Sequence, residues 1–237
     1  MLKAKSLYHL IVYSILFIIV LISSFTFIIN NNTKHELQEK IYTLKTDYTN
    51  NQKELIKNHV NYIINFIDYY NETFKDKKSQ AEIQKEILQT IEKLRVNQNP
   101  NEYIFIYDFN GKLIQDAVSK NNIGENFYNL KDINGKEVIK ELITTSQKKH
   151  GGYVEYVWYK PEISKQTNKI SYSLSYNKWN WTIGKGVYLD EIDKLVKIKE
   201  EEFNQKISNY TLQITSLTIR LILYSIFIYK NATILII

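Results

Sequence analysis

From Leu10 to Ile29 the chain is uncharged and almost wholly apolar, with Lys3 and Lys5 before it and Asn30, Asn31 and Asn32 after it. About 20 such residues cross the hydrocarbon core of a bilayer as an α-helix, so the pattern predicts a transmembrane helix over 10–29. A cleaved signal peptide would show a shorter apolar region of about 7–15 residues and a small-residue cleavage site. Here large apolar side chains surround Ser23, Ser24 and Thr26, which favours an uncleaved anchor. The flanking lysines place residues 1–9 in the cytoplasm and the following chain outside it.

The next pattern is helical. From Thr33 to about Asn71 neither Pro nor Gly interrupts, and Ile41, Tyr48, Leu55, Tyr62 and Tyr69 recur every seven residues, joined by Leu37, Leu44, Ile56, Ile63 and Phe66. That predicts a long helix over 33–71 with one buried stripe. Asn51 and Asn58 in the alternate heptad position suit a helical dimer whose register they would set, and packing of the stripe on its own domain is the equal alternative. A second helix over 79–95 is marked by the capping-box spacing of Ser79 and Glu82 and by Ile83, Ile87, Ile91 and Leu94.

Then the period changes. Tyr103 to Tyr107 is β-branched and aromatic, Asn110-Gly111 is a hairpin turn, and Lys112 to Asp116 follows as its partner strand. After turns at Gly124 and Asn134-Gly135, Val138 to Ser146 reads as a short helix with Ile139, Leu142 and Ile143 on one face. Three more strands are expected at Tyr153 to Tyr159, Lys169 to Tyr176 and Trp181 to Val187. Five short strands, mostly joined by hairpins, with helices gathered on one side, predict an α+β domain whose antiparallel sheet occupies 103–188. Residues 189–210 return to a charged helical composition, a stalk, and lead into a second membrane helix at about 211–230, with a tail over 231–237. Within it the apolar core Ile214 to Ile228 is short and holds Arg220, at a cost of about 2.5–3.5 kcal/mol on insertion scales.

Composition narrows the function classes. The chain has 237 residues, of which 24% are charged and 44% apolar, so the part outside the membrane makes one domain with extended helices. A net charge of +6 comes from lysines scattered among glutamates and asparagines, a solvated surface and not a nucleic-acid patch. Cysteine is absent, which removes disulfides, thiolate metal sites and cysteine nucleophiles. His9, His35, His59 and His150 are far apart and have no carboxylate at metal-motif spacing, and no phosphate loop or nucleophile elbow occurs. No catalyst, metal site or cofactor is expected.

Six segments in order carry a resemblance: Tyr103-Ile-Phe-Ile-Tyr-Asp-Phe-Asn-Gly111, Ile123-Gly-Glu-Asn126, Leu130-Lys-Asp-Ile-Asn-Gly135, Gly151-Gly-Tyr-Val-Glu-Tyr-Val-Trp158, Lys169-Ile-Ser-Tyr172 and Trp179-Asn-Trp-Thr-Ile-Gly-Lys-Gly-Val-Tyr188. Together they resemble the extracytoplasmic single-Cache (type 2) sensor domain of bacterial chemoreceptors and sensor histidine kinases, over about Thr33 to Asp193. The resemblance implies a PAS-like domain with a long N-terminal helix and a five-stranded antiparallel sheet, flanked by transmembrane helices and set outside the cytoplasmic (inner) membrane. Two departures stand out. Where many relatives have a His-Pro pair after the second strand, this chain has Gln115 and Asp116. Relatives also continue past the second membrane helix into a signalling module, whereas this sequence stops at Ile237, so a receptor without its output half is implied.

In such a domain the pocket lies on the concave face of the sheet, so strand residues of one parity line it. Tyr103, Phe105 and Tyr107 share one face, as do Tyr156 and Trp158, and as do Ile170, Tyr172 and Leu174. A tyrosine buries its ring while offering its hydroxyl, which suits a small polar ligand. The cationic candidates are Arg95, one of two arginines in the chain, and Lys169; a guanidinium fork fits a carboxylate. Gly184 and Gly186 on the last strand either admit a ligand or relieve crowding beneath Trp181. The expected ligand-binding set is therefore Arg95, Tyr103, Phe105, Tyr107, Gln115, Asp116, Tyr156, Trp158, Lys169 and Tyr172. The function expected is sensing of a small molecule, a short carboxylate by resemblance, for transmembrane signalling or chemotaxis by a membrane-anchored homodimer. The rival is a structural protein that uses its long helix for pairing and binds no ligand.

Overall fold

The structure is a computed structural model that describes residues 2–93 and 101–234. Its contacts divide the chain into a unit of residues 46–193 and a unit of residues 1–45 with 194–237.

Within residues 46–193 the sheet contains β1 (Ile104–Asp108), β2 (Leu113–Asp116), β3 (Gly152–Lys160), β4 (Lys165–Tyr176) and β5 (Trp181–Tyr188). The order is β2-β1-β5-β4-β3, and every neighbouring pair is antiparallel. The sequence expectation of five antiparallel strands holds, with β4 beginning four residues earlier than expected because Lys165 pairs with Lys160 across the hairpin. The β1–β2 turn is organised by Asp108, whose Oδ1 accepts from the backbone N–H groups of Asn110 and Lys112 at 2.9 and 2.8 Å. Gly111 sits there at φ 87°, with Tyr128 so close that a Cβ would meet it at 2.6 Å.

The expectation that the helices gather on one side is corrected, because each face of the sheet has its own cover. One face packs on α1 (Leu2–Phe74) and α2 (Gln80–Lys93), where Ile56, Val60, Ile63 and Ile67 join Ile83, Ile87 and Ile91 against Ile106, Tyr172, Tyr176, Trp181 and Ile183. The Ser79 cap forms as its sequence predicts: Ser79 Oγ and backbone N–H both donate to the Glu82 carboxylate, at 2.7 and 2.9 Å. A polar tie adds to this face, where Lys185 Nζ on β5 meets His59 Nδ1 on α1 at 2.9 Å and Glu102 at 3.1 Å. Burial and then the Lys185 charge hold the His59 pKa below its ordinary value. The other face is covered by α3 (Val138–Ser146), whose Ile139, Leu142 and Ile143 meet Tyr103, Phe105, Tyr107 and Val154.

The expected single stripe on the long helix is corrected. Among the described residues of α1, Ile56, Val60, Ile63 and Ile67 are the buried positions, while Leu55, Tyr62 and Tyr69 are 51%, 68% and 72% exposed. Apolar residues every seven places mark one face of a helix and those at 56, 60, 63 and 67 mark another, so the sequence carried two stripes that the heptad count merged. Asn30 to Asn32 do not interrupt α1, which runs on from the apolar segment without a break.

Among the described residues, α1 and α4 (Asp190–Ile234) are the two helices long and apolar enough to cross a membrane. Their apolar side chains, among them Leu10, Phe17, Phe25, Leu217, Leu223 and Phe227, are exposed on the protein surface. Within these segments Thr26, Thr211 and Thr218 each donate to the carbonyl four residues earlier, at 2.8, 2.9 and 2.8 Å. Such back-bonding lets Ser and Thr sit in hydrocarbon.

Candidate functional site

Between α3 and the sheet lies a cavity lined by Tyr103, Phe105, Tyr107, Asp116, Ile139, Leu142, Tyr156, Trp158 and Lys169. Its volume is about 10 Å³, room for about one water molecule. Strand register brings these residues together: Phe105 pairs with Asp116 and with Gly184, and directly paired residues present their side chains to the same face. Tyr156 and Trp158 alternate along β3 onto that face, their rings edge-on with centroids 5.6 Å apart.

Lys169 is the unusual member. Its side chain is 1% exposed, and its Nζ donates to Tyr103 Oη at 2.7 Å while standing over the rings of Tyr103 and Tyr188, 4.1 and 4.8 Å from their centroids. Among the described residues it makes no ion pair within 4.0 Å. Burial therefore dominates and pulls its pKa from 10.5 down to about 7, opposed by the charge of Asp116. Asp116 is held by its own turn, Oδ1 accepting from the backbone N–H of Val118 at 2.7 Å and of Ser119 at 3.0 Å. Burial, then the Asp116 charge, raises the phenol of Tyr103 well above its ordinary value and raises Tyr107 too, so both hydroxyls stay protonated donors. Tyr156 Oη is paired with Ser171 Oγ at 2.7 Å.

The glycines of β5 make room for these side chains. A Cβ at Gly184 would meet the Phe105 ring at 2.3 Å, and one at Gly186 would meet Ser171 Oγ at 2.1 Å and Lys169 Cε at 2.5 Å. The crowding they relieve is that of Phe105 and Lys169, and not of Trp181.

Seven of the ten expected site residues line the cavity: Tyr103, Phe105, Tyr107, Asp116, Tyr156, Trp158 and Lys169. Two do not. Tyr172 points to the opposite face, packed with the α1 and α2 residues and donating to the His150 carbonyl at 2.6 Å. Gln115 pairs with Ile106, whose side chain belongs to that same helix-covered core, so it shares that face. Arg95 lies outside the described residues. Ile139 and Leu142 were missed as wall residues; their apolar spacing was visible, but which sheet face α3 would cover was not.

Residues 48–202 match the single Cache domain 2 family. The chain belongs to that family. Among its relatives, the sensor histidine kinase MctS of Rhizobium johnstonii is 40% identical over 90 residues, which is 38% of this chain and 19% of that protein. The methyl-accepting chemotaxis protein McpP of Pseudomonas putida is 29% identical over 114 residues, 48% of this chain and 21% of that protein. The chain thus spans about a fifth of the length of the curated relatives it matches. Among solved structures, a methyl-accepting chemotaxis protein from Vibrio parahaemolyticus superposes with a TM-score of 0.56 at 27% identity, covering 65% of this chain and 99% of that one. A Cache chemosensory domain described for carboxylic acid recognition superposes at 0.52 and 25% identity, covering 63% and 97%. This is a Cache sensor domain of the kind that chemoreceptors and sensor kinases carry, extracytoplasmic and accompanied by two membrane-span candidates.

Proposed function

We propose that this Cache domain senses a short monocarboxylate, with Lys169 as the cation that receives it. The observation that carries the reading is a buried ammonium beside a cavity, without a carboxylate at ion-pair distance among the described residues. A charge kept out of water is costly unless paired, and an anion entering the cavity would supply the pair and accept from the phenols as well. The carboxylic acid recognition described for one structural neighbour agrees with this chemistry. Arg95 belongs to the proposal on sequence grounds alone, as the second cation. Because the cavity holds about one water, even a two-carbon acid must displace part of the wall as it enters. Binding would therefore be tied to movement, which is what a receptor needs: a ligand shifts an equilibrium by its difference in affinity for the two arrangements. The receptor is further proposed to act as a dimer paired along α1, and to signal across the membrane through its flanking helices.

Calorimetry on the full chain in nanodiscs, titrated with acetate and propionate, tests the reading. One of the acids is expected to bind, and Lys169→Met to weaken it by at least tenfold, the size of a lost charge-assisted hydrogen bond worth about 1.5–3 kcal/mol. Binding that survives both Lys169→Met and Arg95→Ala unchanged would place the acid elsewhere. Absence of binding by any short acid would return the rival reading of an unliganded scaffold.

A further inference from the structure

Two lysines are among the largest fully buried side chains of the protein, Lys160 and Lys169, and they share one aromatic ring. Their ammoniums stand 5.6 and 4.8 Å from the centroid of Tyr188. They differ in compensation. Lys160 Nζ donates to both carboxylate oxygens of Asp190 at 2.9 Å, with Glu162 at 3.6 Å, and Asp190 is the first residue of α4. Lys169 has the Tyr103 hydroxyl and the cavity. Tyr188 ends β5 two residues before Asp190, and its hydroxyl donates at 2.5 Å to the carbonyl of Tyr159, the neighbour of Lys160. One ring therefore touches the cavity lysine, the end of β3 and, through Lys160, the start of the C-terminal helix.

The attraction between a cation and a ring face is electrostatic, and two cations that share a ring also repel each other. Drawing Lys169 toward an anion, or removing its charge, changes what the ring offers Lys160. Lys160 in turn holds Asp190 by two short contacts. We propose that Tyr188 is the positioning residue that couples Lys169 to Asp190, and so couples the occupancy of the cavity to the beginning of the C-terminal helix. The proposal rests on the reading of Lys169 as the anion's partner, but its test needs no ligand.

The test is a mutant cycle read by hydrogen exchange on the full chain in nanodiscs. The amides of residues 194–197 are the readout, because their helical acceptors are the carbonyls of residues 190–193. In the native background at pH 6, where the Lys169 ammonium is charged, Lys169→Met is expected to change their exchange by about threefold or more. The same change is expected with Tyr188→Phe, which keeps the ring, and less than about 1.5-fold with Tyr188→Leu, which removes it. Rescue by phenylalanine separates coupling through the ring from a general loss of packing. Tyr188→Met replaces the leucine variant if β4 and β5 amides lose protection. An unchanged α4 after Lys169→Met, or an equal change with and without the ring, overturns the proposal. Acetate and propionate titrated in parallel keep the two readings apart: if neither binds, the carboxylate reading falls while the cycle still decides the coupling.

Discussion

Lys169 concentrates the physical chemistry of the domain, since a lysine is rarely buried without a carboxylate at contact distance. Its native pKa of about 7 stands below the 10.5 of the unfolded chain. Between those values the unfolded state holds a proton that the native state has released, so stability rises with pH across the window and the penalty is complete below it. At about 1.4 kcal/mol per unit this is on the order of 5 kcal/mol. Melting of the full chain from pH 7 to pH 10 is expected to show this rise, and Lys169→Met to remove it while raising stability at pH 7. A variant whose pH slope matches the native one would show that another group carries the titration. The neighbouring residues explain how the lysine is tolerated: Gly186 leaves space for its stem, and Tyr103 gives its ammonium both a hydroxyl and a ring face.

Among the elements, α1 does two jobs with two faces. Ile56, Val60, Ile63 and Ile67 close the core, and on the far flank Asn51, Leu55, Asn58, Tyr62, Asn65 and Tyr69 stay exposed at alternating spacings of three and four. That spacing is a coiled-coil seam, and asparagine within it trades pairing strength for fixed register. The seam residues bear no charge from Asn51 to Tyr69, so nothing along it repels a second copy. Because the chain has no native cysteine, an introduced one reports cleanly. Mild oxidation in membranes is expected to yield a linked dimer with Tyr62→Cys and none with Asn50→Cys, which is exposed on a different side of the helix. Equal yields from both positions would indicate random collision and defeat the pairing.

For the whole molecule the prediction is one of topology, with the sensor outside the cytoplasm. Lys3 and Lys5 precede the first apolar segment, and basic residues are retained on the cytoplasmic side. The match to the single Cache domain 2 family, with a sensor histidine kinase and a chemotaxis receptor among the relatives, agrees with that orientation. Single cysteines at Asn31 and Lys148, both exposed, are expected to react with an impermeant thiol reagent on intact cells whose envelope admits it. Protection of both positions, with reactivity restored only after lysis, would reverse the topology.

By itself the sequence determined what depends on local periodicity and turn chemistry. The two long apolar helical segments, the capped second helix, the Asn-Gly turns and five antiparallel strands follow from the residue pattern because neighbours along the chain decide them. Alternation even contained more than was read from it: Lys169 and Tyr172 have opposite parity, as do Gln115 and Asp116, so neither pair shares a face of a regular strand. Which parity faces the cavity was decided by tertiary structure, through the strand order and through α3 covering one side while α1 and α2 cover the other. The two stripes of α1 were likewise separated by packing, since an apolar residue looks the same in sequence whether its partner is its own sheet or another surface. The meeting of Lys160, Lys169 and Tyr188 needed the fold as well, because it joins three strands whose register no local pattern records.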